Sequence, residues 1–76
     1  MSRRKSDEKI GKRAYVAVHN LLPDKNDPQI AQLLGCKRQA IHMWSKGETP
    51  SGIYLQRMCE LGADIDWILT GRRKNT

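Results

Sequence analysis

Residues 27–46, DPQIAQLLGCKRQAIHMWSK, constrain the fold more than any other part of the chain. Ile30, Ala31, Leu33 and Leu34 recur at helical spacing, and Ala40, Ile41 and Trp44 do so again after Gly35. Asp27-Pro28 opens the first segment as an N-cap followed by a proline at the first helical position. Gly35 is the residue most easily placed in the left-handed conformation that ends a helix. The stretch therefore reads as two short helices joined by a tight turn. Ala40, Ile41 and Trp44 are the inward side of the second helix.

The flanking segments carry the same periodicity. Ser6 is placed to cap a first helix, with Asp7 and Glu8 favouring the positive end of its dipole. Ile10, Ala14, Ala17, Val18 and Leu21 then give about four turns with one apolar stripe, weakened early by Gly11 and ended by Leu22-Pro23. A polar loop, Pro23 to Asp27, leads into the central stretch. The third helix is expected from Lys37 to Ser45, closed by Gly47, with Glu48 to Gly52 a loop by composition. Thr49 or Ser51 can cap a fourth helix, whose apolar surface comes from Ile53, Leu55, Met58, Cys59 and Leu61. Gly62 ends it. Asp64 caps a short fifth helix, with Ile65, Trp67, Ile68 and Leu69 as its apolar content, stopped by Thr70-Gly71. Strand-like alternation is absent. The expectation is an all-α domain of five short helices over residues 6–71, preceded by a disordered basic arm (1–5) and followed by a basic tail (72–76).

At 76 residues the chain lies near the low end of what one hydrophobic core supports, and dimerisation would relieve that marginality. No apolar run is long enough to span a membrane, and the basic start is not followed by a signal-peptide core. The two cysteines, Cys36 and Cys59, have no CxxC spacing, which suits free thiols in the cytosol. The formal net charge of +6, with a pI near 9.8, favours a polyanionic partner. Arg3, Arg4, Lys5, Lys9, Lys12 and Arg13 crowd the start; Arg72, Arg73 and Lys74 crowd the end; Lys37, Arg38 and Lys46 sit centrally. His19, Cys36, His42 and Cys59 follow no zinc-ligand framework, and no nucleophile–base spacing or Gly-rich phosphate loop occurs. The expectation is a protein that is not an enzyme and holds no cofactor or metal.

Ala31, Gly35, Ile41 and Trp44 at these spacings resemble the skeleton of the helix-turn-helix of phage repressors and related small bacterial regulators. LGADIDWILTG, Leu61 to Gly71, resembles the phrase that closes the DNA-binding domain of phage CI-type repressors. Together the two cover roughly residues 10–71. The resemblance implies a lambda-repressor-like domain that binds double-stranded DNA, its third helix in the major groove. Arg38 would then bond O6 and N7 of guanine, and Gln39 would pair with adenine. His42 and Met43, one turn on, would meet a base edge or a thymine methyl. Lys37, Lys46 and Thr49 suit phosphates, with Gln29 or Lys25 as further phosphate contacts. The basic arm would reach a neighbouring phosphate or groove.

Two residues depart from the family's pattern. Lys37 stands where Ser or Thr usually caps the recognition helix, and a cation there opposes the dipole. Asp27 stands where Gln often contacts phosphate, so it is read as a cap. One helix reads only a few base pairs, so a homodimer on a palindromic operator is expected, in contact through Tyr54, Met58, Ile65, Trp67 and Ile68. Trp44 and Trp67 are read as core or subunit-contact residues rather than base-stacking platforms. The function implied is a phage or prophage-type transcriptional repressor in the cytoplasm of a bacterial host, at the nucleoid. The alternative is the same fold used as a protein-interaction module, for instance toward an antirepressor; Arg38 and Gln39 argue against it, since such a surface would be apolar.

Overall fold

The computed structural model describes residues 9–72. These form five α-helices and no strand: α1 (Ile10–Leu21), α2 (Asp27–Leu34), α3 (Arg38–Ser45), α4 (Gly52–Leu61) and α5 (Ile65–Thr70). The all-α expectation holds for these residues. The expected arm, the cap at Ser6 with Asp7 and Glu8, and the tail beyond Arg72 lie outside them. α1 begins at Ile10 with Lys9 in the N-cap position, so at 12 residues it is shorter than the four turns expected.

α1 is the central support. It packs against α3 on one side and α5 on another, while α2 packs on α3 and α4 touches α2 and α5 more lightly. The core joins Ala14, Ala17 and Val18 of α1 to Ile30, Ala31 and Leu34 of α2, Ile41 and Trp44 of α3, Met58 of α4 and Ile68 of α5. The apolar spacing of the sequence thus predicts most of the inward faces. Leu33 is an exception: it is 50% exposed, on the outer side of α2. α4 also buries less than its composition suggests, since Met58 is its one buried residue while Ile53, Cys59 and Leu61 are exposed.

Helix ends follow local chemistry. Gly35, Gly62 and Gly71 each end a helix in the left-handed conformation, as expected from glycine at those places. Asp64 caps α5, accepting from Trp67 N at 3.1 Å. The cap of α2 is a correction: it is Asn26, not Asp27. Asn26 Oδ1 accepts from Gln29 N and Gln29 Oε1 accepts from Asn26 N, both at 3.0 Å, a reciprocal capping box. Gly52, expected in a loop, is the first residue of α4, and Ser51 precedes it without a side-chain capping bond.

Two arginines close the structure. Arg13, counted above with the basic start, is 7% exposed and donates Nε–H to Ile68 O at 2.8 Å and Nη2–H to Leu69 O at 3.4 Å. It thereby satisfies carbonyls at the end of α5 that have no intrahelical partner, and its charge suits that end of the dipole. Arg57 does the same for α2, donating Nη1–H to Leu34 O at 2.6 Å, with its guanidinium 6.0 Å from the centre of the Tyr54 ring. Both residues act within the fold.

Candidate nucleic-acid interface

α3 is positioned by what lies under it. Ile41 is fully buried and Trp44 is 4% exposed, the latter with its ring 6.0 Å from that of Tyr54. At about 100° per residue, Arg38, Gln39, His42, Met43 and Lys46 fall within an arc of about 140° on the side away from Trp44. Arg38, Gln39, His42 and Lys46 are exposed and Met43 is half-buried. Met43 lies in an apolar recess with Cys36, Ala40 and Tyr54, flanked by Gly35, Lys37 and Gln39. The four residues expected to face bases therefore share one face.

The start of α3 explains how that face is held. Gly35, with φ 75°, sends the chain from α2 to α3, and Cys36 N donates to Ala31 O at 2.9 Å across the turn. Lys37 is the N-cap and makes no side-chain capping bond, so the first N–H groups of α3 are left to other partners. Arg57 lies beneath the turn; a Cβ on Gly35 would come 2.3 Å from its Nη1. Burial pushes the Cys36 thiol above its ordinary range, against the lowering effects of a backbone hydrogen bond and the Arg57 charge.

The expected phosphate contacts lie on three separate segments, the first being the exposed Lys37 at the start of α3. Lys46 and Thr49 are exposed beyond the end of α3, and Lys25 and Gln29 are exposed around the start of α2. Gln29 spends its carbonyl oxygen on the capping box, which leaves the amide N–H groups for other partners. The loop after α3 is fixed by Gly11. A Cβ on that residue would meet Glu48 O at 2.0 Å and the Gly47 carbonyl carbon at 2.7 Å, so the first turn of α1 lies directly on the loop backbone. Gly11 is a contact between elements rather than only a weak helix residue, and nothing in its local sequence marks it as one.

Asp27 faces the same region. Its Oδ1 is 2.7 Å from His19 Nε2, which ties α1 to the start of α2, and the two side chains are each 30% exposed. The His19 ring rests against Tyr15, with centroids 4.5 Å apart. Asp27 also lines a shallow recess with Arg38, Gln39 and His42.

The expected dimer contacts divide. Met58 and Ile68 have no exposed surface and belong to the core, so they offer nothing to a second copy. Tyr54, Ile65 and Trp67 are half-buried against that core. Leu61 and Leu69, at 39% and 45% exposed, are the large apolar residues that α4 and α5 leave toward solvent along with Ile53. No helix of the described residues is long and apolar enough to cross a membrane. Comparison of the chain with protein-family models, with curated proteins and with solved structures finds no match.

Proposed function

We propose that this chain is a sequence-specific regulator of transcription that binds double-stranded DNA, with α2 and α3 as a helix-turn-helix and α3 as the recognition helix. The observation that carries the reading is the face of α3. Immediately after a left-handed glycine turn, a helix seated by Ile41 and Trp44 presents Arg38, Gln39 and His42 outward together. Guanidinium and carboxamide groups at that place suit guanine and adenine edges in the major groove. The net charge of +6 and the resemblance of residues 31–44 and 61–71 to phage CI-type repressors support the same conclusion.

In this reading Arg38 and Gln39 carry specificity, with His42 and Met43 reading one turn further along. Lys37, Lys46, Thr49, Lys25 and the Gln29 amide fix register on phosphates. The protein acts in the cytoplasm as a homodimer on a palindromic operator, and its effect is repression. With Met58 and Ile68 in the core, the contact between copies falls to Tyr54, Ile65, Trp67 and the exposed leucines of α4 and α5.

Selection from random duplexes tests the proposal. The expected result is enrichment of a short palindrome, with Arg38→Ala relaxing one symmetric guanine position by about 1–3 kcal/mol. If nothing is enriched, specific DNA recognition is the wrong reading, and an interaction module for a partner protein takes its place.

A further inference from the structure

We infer that Asp27 is a specificity-determining residue of this interface: held by His19, its carboxylate selects a base that offers an exocyclic amino group in the major groove, beside the guanine read by Arg38. The inference rests on the DNA-binding reading above. Position comes first. Asp27 is the carboxylate in a recess otherwise lined by Arg38, Gln39 and His42, the residues of the recognition face. Availability comes second. Asn26 and Gln29 cap α2 between themselves, so Asp27 is not spent on the helix end. Rigidity comes third. His19 holds Oδ1 at 2.7 Å and Tyr15 backs the His19 ring, while the Asp27 side chain keeps 30% of its surface exposed to an incoming donor.

An ionised carboxylate accepts hydrogen bonds and donates none. Phosphate, guanine O6 and N7, and thymine O4 are also acceptors, so each is repelled or left unpaired beside it. Cytosine N4 and adenine N6 are the donors that the major groove presents. A duplex without one of them at this place strands a desolvated negative charge against the DNA. Asp27 therefore discriminates mainly by exclusion, lowering affinity for DNA in general while raising preference for its own site.

That opposition supplies the test. Selection with the unaltered protein is expected to show cytosine or adenine at a position flanking the guanine that depends on Arg38. Asp27→Asn keeps an oxygen for His19 and puts an amide N–H2 where the second carboxylate oxygen stood. With its helical circular dichroism retained, the variant is expected to lose that preference by about tenfold. Its affinity for mixed-sequence duplexes is expected to rise by roughly threefold to tenfold, because a negative charge has gone.

A second arm needs no variant and decides alone should Asp27→Asn fail to fold. The selected cytosine is replaced by 2-pyrimidinone, or the selected adenine by purine, each lacking the amino group. The unaltered protein is expected to bind such a duplex about tenfold more weakly, and the replacement that has this effect identifies the base. An unchanged preference in folded Asp27→Asn, or full affinity for the duplexes without the amino group, overturns the inference while leaving DNA binding in place. Failure of the unaltered protein to enrich any sequence overturns the DNA-binding reading itself, so the two failures are distinct.

Discussion

Two of the residues that hold this domain together act on carbonyls far away in the sequence. Arg13 sits among basic neighbours and reads as part of a polyanion-binding start, yet its guanidinium caps α5 across 55 positions of sequence. Arg57 bridges 23 positions to the end of α2. Contacts that distant leave no periodic trace, which is why neither was legible. Gly11 makes the same point with a sign that can be measured. Judged by helix propensity, Gly11→Ala should stabilise α1 by up to about 1 kcal/mol. In the folded chain the added Cβ meets a backbone carbonyl oxygen at 2.0 Å, and backbone cannot swing aside as a side-chain end can. Gly11→Ala is expected to destabilise by about 1–3 kcal/mol, as measured by urea denaturation. A gain in stability would mean that α1 and the loop after α3 are not in contact. The loop shifted by the substitution carries Thr49, so if Thr49 meets phosphate as proposed, weakened DNA binding should accompany the loss.

At the scale of elements, the helices were legible because their causes are local. The apolar spacing, the glycines at positions 35, 62 and 71, and Asp64 as a cap all act within a turn or two of themselves. The cap of α2 lies one residue before the expected one, since Asn26 and Asp27 are both good caps and the Gln29 partner decides for Asn26. On the candidate site, exposure of Arg38, Gln39 and His42 followed from periodicity, whereas the seat of Asp27 beside them depended on His19 in another helix. α3 keeps one local conflict: Lys37 opens it with no capping bond. Two quantities should therefore move in opposite directions. Lys37→Ser supplies a cap and removes an opposing charge, so stability should rise by about 0.5–1.5 kcal/mol. If Lys37 meets phosphate on DNA, the same change should weaken binding and lower the salt slope by about one phosphate contact. Thermal melting and a salt titration of affinity measure the two. A stability gain with unchanged binding would remove Lys37 from the interface.

For the whole molecule, the question is which apolar surface folds the chain and which remains for a second copy. Composition cannot separate these uses, because a buried methionine and a contact methionine look alike in sequence; packing separates them. Met58 and Ile68 are fully enclosed, and they anchor α4 and α5 to a core that is otherwise built by the first three helices. α4 has Met58 as its one buried residue, so that side chain carries much of the helix's attachment. Met58→Ala should cost about 2–5 kcal/mol through lost burial and the cavity left behind. Small domains have about 5 kcal/mol or little more to lose, so a cost at the upper end of that range leaves much of the variant population unfolded at room temperature. The loss should be the same at low and high protein concentration, since it arises within one copy. A contact residue would behave differently: removing it would weaken a dimer and change stability only where the dimer is populated. Urea denaturation of Met58→Ala at two concentrations a hundredfold apart distinguishes these cases. A destabilisation that appears only at the higher concentration would return Met58 to the dimer face and require α4 to pack differently on the core.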